Sequence, residues 1–319
     1  MNRRRRALYI ILGVLVWAFL GWRAVPFIAD LFQDKESLPV IHSGGMLLLA
    51  ILLVPVNWGI EAAKWHYLVF RKQKSRYQLA YKSVLGGMAL GILTPGRIGE
   101  PFARALMVPN GNYLSSAAAA LICSLTQQAA TLLFGIAGAL LVAQQFHIIT
   151  ANLISVVGIG ALILSLSISI LLLFPSILKW IAHHQFTQKV MESIRGIEAI
   201  SLQQISADQL LSIDRYSVFT CQYMLVIYAF GSNASPLQTM SAVACIFLVG
   251  SIIPSPAIID VGIKISLAML FLGPTLDSEK IAAAASTTIW IINLAIPAIL
   301  GTILIANNSF ENKALRNKS

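Results

Sequence analysis

Apolar residues along this chain gather into long runs, separated by short stretches of basic and polar ones. Six runs have the length of a bilayer crossing, which takes about 20 mostly apolar residues in a helix. They are 7–28, 43–63, 114–142, 150–174, 215–232 and 281–306. Two further apolar regions are interrupted in the middle. Residues 79–108 break at Thr94-Pro95-Gly96-Arg97-Ile98-Gly99-Glu100-Pro101. Residues 236–272 break at Pro254-Ser255-Pro256, with Asp260, Gly262 and Lys264 following. The arms of the first region, about 15 and 12 residues, are too short to span at 1.5 Å per residue. Broken helices at membrane depth persist only where protein or a water-filled cavity shields their freed backbone groups. Both regions are therefore expected to be re-entrant helical hairpins. The fold class that follows is all-α integral membrane, with six transmembrane helices plus two opposed hairpins. Segment 176–213 is more polar. Val190, Ile194 and Ile197 recur there at helical spacing, which predicts an amphipathic connector on the cytoplasmic surface.

Charge gives this picture an orientation. Only 11% of residues are charged and 57% are hydrophobic, against about 25% charged in an ordinary soluble domain. That balance excludes a soluble globular enzyme and a disordered chain. The net charge of +10 could suggest nucleic acid, but the basic residues sit between apolar blocks, as topology signals do. Seventeen of the 23 Lys and Arg fall in four segments: Arg3 to Arg6, 64–82, 175–215 and the tail. The segments predicted on the other side hold three, Arg23, Lys35 and Lys280. This bias puts both termini in the cytoplasm. The run after Arg6 shows no small-residue cleavage site, so a retained first helix is expected. Residues 1–319 then form one transmembrane domain with halves of about 7–145 and 150–306. Each half holds three crossings and one hairpin, so the second is inverted relative to the first. Inverted repeats with facing broken helices are a recurring plan of secondary transporters.

The charged residues left inside the hairpins are the candidates for chemistry. Pro101 disfavours helix at Glu100 and suits the first helical turn, so a helix should start there. Gly96 and Gly99 make the preceding turn, and free N–H groups would face the break at Thr94. Arg97 and Arg104 flank Glu100 within reach, and their guanidinium forks suit phosphate oxygens. Such residues bind a substrate, or they lock the hairpin by salt bridges, or they do both. Ser83, Gly87 and Gly91 allow close packing of the preceding arm. Asp260 and Lys264, at i and i+4, either pair with each other or engage a substrate. Glu61 and Lys64, near the end of the second span, are expected as an interfacial salt bridge and are secondary candidates. Thr126, Gln127 and Gln128 should hydrogen-bond between helices. The five His are scattered, and no H-E-x-x-H, G-x-S-x-G or P-loop occurs. Cys123, Cys221 and Cys245 lie singly in apolar stretches. No metal, cofactor or catalytic residue is expected.

The stretch GMALGILTPGRIGEPFARAL resembles the transmembrane part of the lysylphosphatidylglycerol synthase/flippase family. The resemblance rests on Pro95 to Glu100 with Arg104, on Trp58 to Trp65, and on the acid-x-Gly-x-base ending at Lys264. It implies a lipid flippase of a bacterial inner membrane, acting on an aminoacylated phospholipid or another lipid-linked headgroup. It also implies that lysyl transfer from tRNA is not the task of this chain, because no synthetase domain follows. The function expected is movement of a phospholipid or lipid-linked anion between leaflets. Arg97 and Arg104 would contact phosphate, Glu100 would hold them or pair with a cationic headgroup, and Asp260 with Lys264 would form the opposite gate. The rival readings are an intramembrane lipid-modifying transferase, whose base would be Glu61, Glu100 or Asp260, and a non-transporting assembly partner. The partner expected is membrane lipid, with no nucleic acid and with homo-oligomerisation left open.

Overall fold

The computed structural model describes residues 39–70, 77–92, 94, 97, 99–108, 113–145, 201–253 and 257–304. The predicted spans 7–28 and 150–174, the breaks at Pro95-Gly96 and 254–256, and connector residues 176–200 lie outside these. All secondary structure among the described residues is helical. In chain order it comprises α1 (Gly44–Trp65), α2 (Tyr77–Gly91), α3 (Gly99–Leu106), α4 (Tyr113–Gln145), α5 (Leu202–Ala229), α6 (Pro236–Ile252), α7 (Ala257–Leu276) and α8 (Glu279–Trp290). A single π-helical turn, His66–Phe70, continues α1, and another, Ile291–Ala295, continues α8.

Four segments are long and apolar enough to cross a membrane: Gly44–Val69, Ala119–Gln145, Ile259–Leu276 and Glu279–Leu304. The chain is a multi-pass membrane protein. Three of the four match predicted spans. The third falls in the second interrupted region, whose arms are longer than those of the first and where a re-entrant hairpin is expected. Its helix, α7, is 20 residues long, with Pro274 inside its last turn. The predicted span 215–232 also differs. Its helix starts at Leu202, where Ser201 and Gln204 form a reciprocal capping box that satisfies the first N–H groups. Residues 202–213, read from sequence as part of the amphipathic connector, are therefore the first turns of α5. Polar residues there lowered the apolar score, yet Asp208 and Ser212 are fully buried.

The helices are built outside-in relative to a soluble protein. On α1, Leu48, Leu49, Ile51, Leu52 and Val56 are exposed, while Asn57, Glu61 and Lys64 are buried. This is the distribution lipid demands: apolar side chains meet hydrocarbon, and polar ones find partners inside. The two halves of the chain interleave, with α1 packed along α5 and α4 along α6. A Cβ added at Gly138 of α4 would lie 2.5 Å from that of Ala244 on α6, so only glycine permits this approach.

The helices on either side of the first break, α2 and α3, pack against each other. A Cβ at Gly91 on α2 would lie 2.6 Å from Glu100 Cβ, and one at Gly87 would strike Arg104 Cγ. These glycines seat α3 directly on α2 and so fix where Glu100 and Arg104 stand. The loop between is tied by Thr94, whose hydroxyl donates to Gly91 O at 2.8 Å and accepts from Gly99 N at 2.9 Å.

Candidate functional site

From Arg97 and α3 a chain of ion pairs runs into the protein. Arg97 Nη2 lies 2.7 Å from Glu100 Oε2. Glu100 Oε1 accepts from Arg104 Nη2 at 2.5 Å, and Arg104 Nη1 donates to Glu61 Oε1 at 2.6 Å. Glu61 Oε2 is approached by Lys64 Nζ at 3.5 Å and by Arg215 Nη1 at 3.4 Å. Four cations thus share two carboxylates in this chain. A buried charge costs several kcal/mol unless paired, on the order of 3–5 when one partner is lost, so the network holds α1, α3 and α5 in register. Arg97 sits at one end in the left-handed region, φ 58°. That conformation costs a non-glycine residue about 1–2 kcal/mol.

Two hydrogen-bonded clusters extend the network. Arg215 Nε donates to Asn57 Oδ1 at 2.9 Å and its Nη1 to Gln127 Oε1 at 3.2 Å. Its guanidinium lies 5.2 Å from the Trp58 ring centroid, a cation–π contact. Asn57 Nδ2 reaches both Gln222 Oε1 and Asn293 Oδ1 at 3.2 Å, linking α1, α5 and the π turn after α8. On the other side, Lys64 Nζ donates to Cys123 O at 2.9 Å. Asp208 accepts from the Thr126 hydroxyl and, at 3.7 Å, from the Cys123 thiol.

A cavity of about 250 Å³ opens beside these clusters. Arg97, Arg215 and Lys264 line it, together with aromatic walls that include Trp58, Tyr216, Phe247 and Trp290. Among the described residues no Asp or Glu lines it. The carboxylates stand behind the cations: Glu100 behind Arg97, Glu61 behind Arg215, and Asp260 behind Lys264, whose Nζ is 2.8 Å from Asp260 Oδ2. The cationic side chains keep part of their surface exposed, 34% for Arg97, 19% for Arg215 and 41% for Lys264. A wall of partly exposed cations whose carboxylate partners are not among the lining residues is suited to an anion.

The predicted residues therefore divide. Arg97 and Lys264, 167 positions apart, line one cavity. Arg104 and Glu100 do not line it, and Arg104 spends both guanidinium arms on Glu61 and Glu100. Thr94 and Gly99 hold the loop, Asp260 backs Lys264, and Gly96 lies outside the described residues. Glu61 and Lys64 were expected at an interface. Both are buried instead, because α3 and α4 close over that end of α1. Lys64 and Arg215 lie among the segments predicted cytoplasmic, yet both pair inside the bundle; without them the bias is fifteen to three. Gln127 and Thr126 bridge to α5 as predicted.

Arg215, Asn57, Trp58, Asn293 and Asp208 were missed as site residues. Arg215 opens an apolar run and reads as a boundary charge. Asn57 and Asn293 are isolated polar residues inside apolar runs, a signal for buried function in lipid. Asn293 further depends on the π turn, and such turns often mark functional positions.

The sequence model of the lysylphosphatidylglycerol synthase TM region matches residues 7–301. The chain belongs to this family. Membership in the lysylphosphatidylglycerol synthase TM family agrees with the multi-pass helical fold and indicates a lipid-related role at a membrane. No curated protein matches the chain. Among the described residues no group of His, Cys, Asp and Glu could hold a metal ion.

Proposed function

We propose that this protein moves an anionic lipid headgroup between the leaflets of the membrane, as a member of the lysylphosphatidylglycerol synthase TM family without catalytic chemistry of its own. The observation that carries this reading is the cavity in which Arg97, Arg215 and Lys264 face one space that no carboxylate among the described residues lines. Arg97 comes from the first break and Lys264 from the helix after the second, so a change in either break alters the site. A headgroup phosphate binds the cations in place of water, and its tails remain in hydrocarbon. Arg104 and Glu61 position the arginines without touching the lipid. A transferase reading is less well supported, because Glu61, Glu100 and Asp260 are each engaged by a cation and none lines the cavity.

The test is a leaflet-accessibility assay with a fluorescent anionic phospholipid in proteoliposomes. The wild type should equilibrate label between leaflets at least tenfold faster than protein-free vesicles. Arg97→Gln and Lys264→Gln should each lose most of that rate while remaining folded. Equal rates with and without protein would overturn the reading.

A further inference from the structure

Asp208 of α5 is a buried carboxylate that takes no part in the chain of ion pairs. It is fully buried, and so are Thr126, Ser212 and Cys123 around it. Among the described residues no cation pairs with it; its oxygens meet the Thr126 hydroxyl and, at 3.7 Å, the Cys123 thiol. An ionised carboxylate without a counter-charge is costly in such a place. Hydrogen counting is a second, independent observation. Thr126 Oγ1 stands at bonding distance from three oxygens: Asp208 Oδ2, Cys123 O at 2.9 Å and Ser212 Oγ at 3.0 Å. Ser212 Oγ also lies 2.8 Å from Asp208 O. A hydroxyl carries one hydrogen. These four oxygen–oxygen contacts therefore share two hydrogens as long as Asp208 is ionised. A proton on Asp208 Oδ2 supplies a third. Asp208 then donates to Thr126, Thr126 donates to Cys123 O, and Ser212 shares its hydrogen between Asp208 O and Thr126. A proton fits between oxygens already in contact, whereas a sodium ion would have to part them.

We propose that Asp208 is a proton-binding site, and that uptake and release of this proton are coupled to the cavity through Lys64 and Glu61. The coupling rests on the reading of the cavity above; the proton site does not. Lys64 Nζ donates to the same Cys123 O at 2.9 Å and lies 3.5 Å from Glu61 Oε2, which Arg215 Nη1 approaches at 3.4 Å. With the proton bound, Lys64 serves Glu61. When the proton leaves, the new charge on Asp208 draws Lys64 towards α5, and Glu61 Oε2 is left to Arg215. Arg215 lines the cavity, as does Gln127, the neighbour of Thr126 that donates to Ser212 O at 3.4 Å. Proton release thus pulls a wall cation towards Glu61 and loosens its hold on an anion. The titratable groups facing Asp208 are Lys64 and Glu61 of α1 and the Cys123 thiol of α4. The other elements packed on α5 carry His66 and Tyr67 on the π turn after α1, Cys245 on α6, and Glu279 and Lys280 at the start of α8.

The proton site is tested by infrared spectroscopy of the full-length protein in detergent at neutral pH, read at the stretching band of a protonated carboxyl group. The wild type should show the band and Asp208→Asn should lose it. Thr126→Val, similar in size, should shift the band by removing its hydrogen-bond partner, a readout that stands even where Asp208→Asn misfolds. No band at neutral pH, or an undiminished band in folded Asp208→Asn, would overturn the proton site. The coupling is tested in proteoliposomes with a fluorescent anionic phospholipid. An imposed pH gradient should change the wild-type rate of movement at least threefold, and a sodium gradient should not. Asp208→Asn should lose the response to pH. Movement that ignores the pH gradient, or that follows the sodium gradient instead, would overturn the coupling. No movement under any gradient, with the infrared band present, would overturn the lipid reading and the coupling while the proton site stands.

Discussion

Arg104 of α3 and Glu61 of α1 lie 2.6 Å apart, a buried pair that fastens the first hairpin to the helix before it. The Arg104 guanidinium also holds Glu100, so one side chain connects two carboxylates that otherwise stand near each other without a shield. Removing either member leaves the rest buried and short of a counter-charge. Arg104→Ala and Glu61→Ala should each destabilise the protein by about 3–5 kcal/mol. The double variant should lose clearly less than the sum of the two. Thermal unfolding of the purified protein in detergent measures this. Additive losses would show that the pair contributes no coupling.

The close seat of α3 on α2 gives a second prediction. A methyl group at Gly91 would lie 2.6 Å from Glu100 Cβ, and Glu100 cannot retreat without leaving Arg97 and Arg104. Gly91→Ala should cost about 1–3 kcal/mol by overpacking. Gly45→Ala, on the open side of α1 with nothing within 4 Å, should cost nothing measurable. The same unfolding assay compares them, and equal stabilities would mean that the hairpin is not packed this closely.

Topology can be tested from outside the cell. In a background without Cys123, Cys221 and Cys245, a membrane-impermeant maleimide should label Glu279→Cys in intact cells and Tyr113→Cys only after lysis. Both positions are exposed at helix starts. The expectation follows from the basic-residue bias, which survives the loss of Lys64 and Arg215 from the count. Labelling of both positions, or of Tyr113→Cys alone, would end the inverted-repeat argument.

The parts legible in the sequence were those set by local rules. Run length gave α1, α4 and the last span, and the sequence Pro-Gly-Arg-Ile-Gly-Glu-Pro gave the break before α3. Gly87 and Gly91 were readable as a packing seam, because lipid-embedded helices approach through small residues. What could not be read was which charges turn inward. Lys64 and Arg215 follow the same pattern as true topology signals, and only the meeting of α1 with α3, α4 and α5 shows that Lys64 is buried and that Arg215 pairs with Glu61 inside the bundle. The depth of Asp208 was hidden for a similar reason. Its neighbours are polar along the chain, whereas its partners Thr126 and Cys123 stand on α4.

Arg215 allows the two meanings of a basic residue to be separated. If its role were to mark the cytoplasmic side, lysine would serve as well, since the bias counts Lys and Arg alike. Its contacts argue for a guanidinium instead. Nε donates to Asn57, Nη1 reaches Gln127 and Glu61, and the plane lies over Trp58. An ammonium is a point charge and cannot hold these directions together. Asn57 would lose its arginine partner, and Asn57 also anchors Gln222 and Asn293 on the cavity's far side. Arg215→Lys should therefore insert with unchanged topology but lose about 10- to 100-fold in lipid movement. That corresponds to the loss of one hydrogen bond to a charged group, about 1.5–3 kcal/mol. Maleimide accessibility and the leaflet assay, run on the same variant, give the two readouts. Unchanged movement with correct topology would assign Arg215 to orientation alone and remove it from the site.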